Sequence, residues 1–262
     1  MRRLVLVGTM LVLTATGCDI RFADLTHPTI AEATVLDVFT DGLDVPPEAE
    51  SYLGTWVTIH VVDGDATVSR GEPIPIEGVE VFVEDADGRV AQAERGTEPG
   101  SFEVNPSAGL RYGPWELWTI IVQEPGEEYA GTMQVMLPSE PQADLPGLHA
   151  QGEPVVIDLY GQGFDYAVSA VLDLDQGQLT HWDAPSGYEE TREALHDDEH
   201  QAGFVELPGR AFPQAGAYVV GIAGMVAVEP GAIHNVNARL SGAAAGRMRL
   251  APVLVEPSPV AR

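Results

Sequence analysis

Apolar and polar residues alternate through much of the first half of the chain, with the period of two that is typical of half-buried β-strands. Val79, Val81 and Val83 would share one face of such a strand, with glutamates on the opposite face. Trp118 falls on the apolar face of a later strand, which predicts that it belongs to a core. The strands predicted in this half are residues 55–62, 78–84, 101–104, 115–122 and 129–137.

The second half continues the β pattern after a proline-containing segment, residues 138–147, that reads as a linker. One segment breaks the pattern. Ser186 and Glu189 have capping-box spacing, residues up to Gln201 favour helix, and Gly203 provides a stop. We therefore expect one short surface helix between strands. The strands predicted in this half are residues 154–160, 167–174, 178–182, 203–207, 217–228 and 236–254.

Turns that contain Gly or Pro separate these strands at intervals of about ten residues, as in all-β sandwiches. The sequences Gly78-Val-Glu-Val-Phe-Val83, Asp87-Gly88 and Gly100-Ser-Phe-Glu-Val104 come in an order that resembles the carboxypeptidase-regulatory-like, transthyretin-like modules of the immunoglobulin-like group. The resemblance covers residues 30–140. It implies a sandwich module that is usually a non-catalytic appendage.

A later segment, residues 212–220, is similar to the closing strand of many immunoglobulin-like domains, in which the tyrosine, here Tyr218, packs near a corner. We therefore predict an all-β protein with two consecutive immunoglobulin-like β-sandwich domains and one short helix inserted in the second. The predicted divisions are a signal peptide (1–17), a lipidated tether (18–30), domain 1 (31–140), a linker (141–152), domain 2 (153–255) and a flexible tail (256–262).

The first residues have the pattern of a secretory signal: Arg2 and Arg3, an apolar run over residues 4–13, and small residues before Cys18. The apolar run is too short to span a membrane as a helix. The small residues followed by the chain's only cysteine resemble the lipobox of bacterial lipoproteins, with Ala15 where that family usually has leucine. The resemblance implies cleavage before Cys18, acylation of Cys18, and anchoring to membrane lipid in a bacterial cell envelope. The side could be the periplasmic face of the inner or outer membrane, or the cell surface.

The charge of the chain excludes several classes of function. The formal net charge is −27, and all thirteen basic residues are arginine. Such an acidic surface repels phosphate backbones, so we expect no nucleic-acid partner. Without lysine there is no Ser-Lys catalysis, the one cysteine is assigned to lipidation, and no G-x-S-x-G elbow occurs. These observations favour a protein that is not an enzyme.

One cluster could bind a divalent metal. His196 and His200 are one helical turn apart, and His181 and Asp183 lie just before the helix, so a returning loop could bring four ligands together. Residues 196–200 also resemble the H-x-x-E-H pattern of inverzincin peptidases, in which Glu199 would be the general base, although the third ligand of that family has no counterpart downstream. The alternative is a solvated, charged helix.

Other features have simpler structural interpretations. Residues 63–65 and 173–177 contain fragments of calcium loops without the full ligand pattern, and both are predicted to be hairpin turns. Trp115, beside Tyr112 and Pro114, could either form an exposed platform for a sugar or peptide or pack against an edge strand.

Two hypotheses from different classes follow from the sequence. The first is a non-enzymatic structural, adhesive or accessory lipoprotein without a cofactor, whose partner is an unidentified envelope protein or polysaccharide. The second is a metal-binding or metal-dependent protein that uses His181, Asp183, His196 and His200, with Glu199 as a possible base.

Overall fold

The computed structural model describes residues 27–40, 43, 47–50, 52–70, 72–185, 187–196, 202–228 and 230–258. Nearly half of them form strands. The strands are β1 (Thr29–Thr40), β2 (Gly54–Asp63), β3 (Glu80–Glu84), β4 (Val90–Gln92), β5 (Glu94–Arg95), β6 (Ser101–Val104), β7 (Leu117–Gln123), β8 (Gly131–Met136), β9 (Leu148–Ala150), β10 (Val155–Asp158), β11 (Tyr166–Asp173), β12 (Gln178–Asp183), β13 (Phe204–Leu207), β14 (Gly216–Ala227), β15 (Ile233–His234) and β16 (Gly242–Glu256).

The helices are short and lie at the surface or over one sheet face. They are α1 (Pro47–Glu50), α2 (Gly64–Arg70) and α3 (Gly187–His196). In the part of the chain that the structure describes, none of the helices has the length and apolar character needed to cross a membrane. The lipidation candidate Cys18 and the predicted signal peptide lie outside the described residues.

The strands of the described residues form three sheets. The largest, here called the long sheet, has the order β12-β11-β14-β16-β1-β2-β6-β5, with β9 added to β16. A five-stranded sheet has the order β15-β8-β7-β3-β4, and β10 and β13 form a two-stranded sheet. In the centre of the long sheet, β1 pairs in parallel with β16 and antiparallel with β2.

The buried side chains show which faces pack together. Alternate residues of the long sheet, such as Val57 and Ile59, pack against Trp118 and Val81 of the five-stranded sheet. Further along the same face, another cluster joins the long sheet to the two-stranded sheet. The opposite face is covered in part by α3, which packs on β1 and β16. The predicted all-β, sandwich-type fold is therefore confirmed, and so is the helix in its second half.

Several local predictions are also confirmed. Val81 and Val83 are buried on one face of β3, Val79 is buried just before this strand, and Trp118 is fully buried. Tyr218 is buried, and its hydroxyl donates a hydrogen bond of 3.0 Å to the carbonyl oxygen of Gln214, four residues earlier. This contact is the corner arrangement expected of a tyrosine at this position.

The structure corrects one predicted turn. Residues 63–65 do not form a hairpin; they span the end of β2 and the start of α2, and the Asp63 carboxylate accepts a hydrogen bond from the backbone N–H of Ala66 at 2.9 Å. An aspartate that caps a helix uses the same local chemistry as one in a turn, so the sequence pattern did not distinguish them. The other predicted turn, residues 173–177, does connect β11 to β12, with the Asp173 carboxylate accepting from the backbone N–H groups of Asp175 and Gln176.

The long sheet takes strands from both predicted domains. β1, β2 and β6 come from the range 31–140, and β11, β14 and β16 come from the range after the predicted linker. Within the predicted linker 141–152, the segment Leu148–Ala150 forms β9 and pairs with β16. The predicted domain bounds stay a prediction, but the halves share backbone hydrogen bonds along the whole of the β1–β16 ladder.

Candidate binding groove and the predicted metal ligands

A groove of about 810 Å³ opens beside α3. Its walls are formed by the start of β11, the end of β12, the α3 helix and the strand β13. Because these elements belong to the long sheet, the two-stranded sheet and the helix, the groove exists only where all three meet. The residues that line it include Tyr160, Asp165, Tyr166, Ser169, Asp183, Glu190, Glu193, Ala194, Phe204 and Glu206.

The groove is strongly acidic. Among the described residues, five carboxylate side chains line it, and they come from the β10–β11 connection, β12, α3 and β13. One of them has a structural role, because the Asp165 carboxylate accepts a hydrogen bond of 2.7 Å from the backbone N–H of Ala227. A concave surface with charges of one sign concentrates its potential, so the groove attracts cations and cationic groups. The acidic residues that line the groove are Asp165, Asp183, Glu190, Glu193 and Glu206.

Two exposed aromatic rings stand at the β13 side of the groove. Tyr160 is 73% exposed and Phe204 is 57% exposed. Tyr160 lies directly over Gly203, where an added Cβ atom would come within 2.6 Å of the tyrosine ring. The glycine therefore lets the ring approach the backbone closely at this point. Exposed rings next to carboxylates suit a ligand that has both apolar and cationic parts.

The structure places two of the predicted metal ligands together on one strand. His181 and Asp183 are two residues apart in β12, so both lie on the same face. The Nε2 atom of His181 lies 3.2 Å from the Ser169 hydroxyl, and Asp183 lines the groove. Burial lowers the pKa of His181, Asp183 partly offsets this effect, and Arg210 adds to it. The lowered pKa favours the neutral imidazole that can bind a metal.

The other predicted ligands fall outside what the structure describes. Glu199 and His200 are not among the described residues, and nothing is described of the His196 side chain. In the described part of the chain, no group of three or more His, Cys, Asp or Glu residues is arranged to hold a metal ion. The four-ligand set therefore stays a prediction.

Beneath α3 lies a polar cluster that the sequence analysis did not identify. Glu32 on β1 is fully buried, and His60 is directly opposite it on β2 with 2% of its surface exposed. Tyr188 of α3 covers them, with its ring centroid 6.4 Å from that of His60. An acidic residue inside the otherwise apolar part of β1 is the sequence signal that could have pointed to this cluster.

Trp115 lies outside the core, on the five-stranded sheet side of the molecule. Its side chain is 72% exposed, and its φ angle of 69° is in the left-handed region that bulky residues rarely adopt. Leu117 and Met136, which pair across β7 and β8, are exposed nearby. The Trp115 side chain is therefore exposed and not packed against an edge strand, and its use as a platform for a sugar or peptide stays a prediction.

Comparisons with known proteins give only distant structural likenesses. No family model matches the chain, and no curated protein sequence matches it. The BSP domain of a biofilm-associated protein has 11% identity and a TM-score of 0.25, covering 89% of this chain and 30% of that one. The N-terminal Ig1-2 module of the Drosophila receptor protein tyrosine phosphatase DLAR has 11% identity and a TM-score of 0.27, covering 88% of this chain and 100% of that one.

A tetra-tandem repeat from the extending region of a large adhesion protein has 12% identity and a TM-score of 0.21, covering 86% of this chain and 50% of that one. This chain spans only 30% of the length of the biofilm-associated protein. Because each TM-score is below 0.5, the fold assignment rests on the strands and sheets of this chain, and the likenesses carry no functional argument.

Proposed function

We propose that this chain is a membrane-anchored envelope lipoprotein that binds a partner without catalysing a reaction, and that the acidic groove is its binding surface. The groove itself is the observation that carries the proposal. It combines about 810 Å³ of open volume, five carboxylates and two exposed aromatic rings at the meeting point of rigid sheets. Grooves that combine apolar walls with a few polar groups are the usual form of ligand sites.

The chemistry of the lining residues indicates what the partner should carry. Carboxylates form charge-assisted hydrogen bonds with guanidinium and ammonium groups, and aromatic faces attract the same cations. The groove therefore suits an Arg- or Lys-containing segment of another envelope component. The net charge of −27 would also speed the approach of such a partner at low ionic strength.

Binding in the groove can be tested with a short arginine-rich peptide as the probe. The groove variant Asp183→Asn/Glu193→Gln/Glu206→Gln removes three lining carboxylates, and we expect its affinity to be about tenfold weaker or more. The control variant Glu94→Gln/Glu127→Gln/Glu256→Gln makes the same charge change at exposed positions away from the groove lining. Equal losses in both variants, measured by calorimetry, would show that only the net charge attracts the peptide.

The anchoring part of the proposal rests on the residues before Cys18. Cleavage and acylation there would hold the protein on an envelope membrane, and two or three acyl chains give stable anchoring. Mass spectrometry of the exported protein should find the amino terminus at Cys18 with lipid attached. Cys18→Ser should move the protein from the membrane fraction to the soluble fraction. An unmodified thiol in the wild-type protein would contradict this part alone.

A second candidate function is metal binding through His181, Asp183, His196 and His200, with Glu199 as a possible base. It is supported by the position of His181 and Asp183 on one face of β12 and by the lowered pKa of His181. Calorimetric titration with zinc should show one-to-one binding that His181→Ala and His196→Ala abolish. The control His149→Ala changes a histidine that bonds to the carbonyl oxygen of Glu153 and is not in the proposed set. Zinc binding that survives both His181→Ala and His196→Ala would overturn this candidate.

A further inference from the structure

Glu32 occupies an unusual position for a carboxyl group. It lies in β1, between β2 and β16 in the long sheet, and it is fully buried. Neither of its carboxyl oxygens has a hydrogen-bond partner among the described residues. A buried carboxylate without a partner is costly, so the group is stable here only in its neutral form.

The cover over Glu32 is one face of α3. Tyr188 and Thr191 are buried, and with Leu195 they recur at helical spacing on the side that meets the sheet. Tyr188 also packs with Ile30 and Val62 in a small apolar cluster around the carboxyl group. Water can therefore reach Glu32 most directly when α3 moves away.

The charged and titratable groups around Glu32 come from several elements. On α3, Arg192 favours ionisation of Glu32, whereas Glu189 opposes it. On β2, His60 faces Glu32, and its Nε2 atom lies 3.5 Å from the Glu98 carboxylate, with Glu103 also close enough to act on it. On β16, the residue opposite Glu32 is Gly242, which carries no charge.

Burial has the largest effect on Glu32 and raises its pKa to about 9. Burial also lowers the pKa of His60, although Glu98 partly offsets this effect. At neutral pH both groups are therefore uncharged beneath the helix. In water at neutral pH, Glu32 would be ionised and His60 partly protonated. Docking of the helix therefore requires both groups to stay neutral.

We propose that α3 is a pH-dependent cover of the long sheet, docked while Glu32 is neutral and released as this carboxyl group ionises. Glu190, Glu193 and Ala194 of the same helix line the acidic groove, so release would also displace one wall of that groove. This consequence for binding rests on the proposed function, whereas the docking equilibrium of α3 does not.

The sign of the pH dependence follows from the two titrations. Because the pKa of Glu32 is raised, its contribution to docking is complete below about pH 4.5 and is lost as the pH rises towards 9. Because the pKa of His60 is lowered, its contribution is lost as the pH falls below about 6.5. The two effects oppose each other between pH 4.5 and 6.5. Above pH 6.5 only the titration of Glu32 acts, so the opening constant should rise from pH 6.5 to 9, by up to about tenfold per pH unit.

Hydrogen exchange of the full chain, followed by mass spectrometry of the peptide that covers α3, tests the proposal without any ligand. After correction for intrinsic exchange rates, protection at pH 8.5 should be up to about 100-fold lower than at pH 6.5. Glu32→Gln should abolish this dependence, because an amide does not titrate. Glu256→Gln, which removes an exposed carboxylate from β16 of the same sheet, should leave it unchanged.

A second variant isolates the opposing titration. His60→Asn should extend the increase in opening to lower pH, down to about pH 4.5, because the protonation of His60 no longer compensates. If α3 has the same protection at both pH values in the wild-type protein, or if Glu32→Gln retains the dependence, the proposal is wrong. Equal peptide binding by the groove variant and its control variant would contradict only the proposed function, so the two failures are distinguishable.

Discussion

Two buried carboxyl groups show how strongly the surroundings of a single residue decide its behaviour. Asp85, between β3 and β4, accepts hydrogen bonds from the backbone N–H groups of Asp87, Arg89 and Arg111 and from the Arg89 guanidinium. Burial alone would raise its pKa, but these donors outweigh burial and hold the pKa below its usual value. Glu32 lies deeper in the protein and lacks such donors, and its pKa moves in the opposite direction. Residue type alone does not separate these two cases.

Asp85→Asn should destabilise the protein by about 2 kcal/mol at pH 7, because it removes the charge that the surrounding donors stabilise. Since the folded pKa of Asp85 is lowered, its stabilisation is present above the unfolded value and is lost as the pH falls through the folded one. Urea denaturation should therefore show the gap between wild type and variant shrinking as the pH falls below the unfolded pKa of 3.8. A gap that is independent of pH would contradict the assignment.

Glu32→Leu should make the protein more stable, by about 2 kcal/mol at pH 8, because an apolar side chain replaces an unpartnered carboxyl group of similar volume. The advantage of leucine should be smaller at pH 5, because this pH is close to the unfolded pKa of 4.5 and ionisation of Glu32 then stabilises the unfolded chain only slightly. Urea denaturation at both pH values measures the difference. His60 is present in both proteins, so its titration cancels in the difference between them. A Glu32→Leu variant that is less stable than the wild type at pH 8 would contradict the prediction.

At the scale of elements, the strands that the sequence predicted best are those with one solvated face. In β3 the valines point to the core and the glutamates to solvent, so the period of two is plain. β1 was not predicted, because nearly all of its residues are buried on both faces and no polar face marks it. Its parallel pairing with β16 joins the beginning of the described chain to its end.

Arg247 links these two strands through its side chain. Its Nε atom donates to the Asp37 carboxylate of β1 at 3.0 Å, and its guanidinium carbon lies 4.0 Å from the centre of the Phe39 ring. Arg247→Ala should lower the free energy of unfolding by about 1 to 3 kcal/mol, since it leaves the partly buried Asp37 without this partner. Arg247→Lys should recover less than half of the loss, because lysine lacks the planar fork. Full recovery by lysine would show that the charge alone matters.

At the scale of the whole molecule, the halves are joined by backbone pairing. The long sheet passes from β12, in the second half, through β16 and β1 to β5, in the first. Removing either half would leave β1 or β16 as a long unpaired edge, and such edges aggregate. The groove also depends on this joining, because α3 is packed on both β1 and β16.

Fragments 27–140 and 141–258 should therefore fail to unfold cooperatively on their own, although the sequence predicts a domain in each. A control protein with a protease site between residues 143 and 146 should fold, and after cleavage its halves should remain associated in gel filtration. Circular dichroism during urea denaturation measures the cooperativity of each fragment. Two separate cooperative transitions of wild-type stability would show that the halves are independent domains.

The sequence by itself determined the β-rich composition of the fold, the buried valine face of β3, the corner tyrosine Tyr218 and the position of α3, because each depends on local periodicity or local hydrogen bonds. The pairing of β1 with β16, the burial of Glu32 and the groove beside α3 were decided by tertiary structure. These features bring together residues that are distant in the chain, and no short-range pattern records which distant strand will lie beside another.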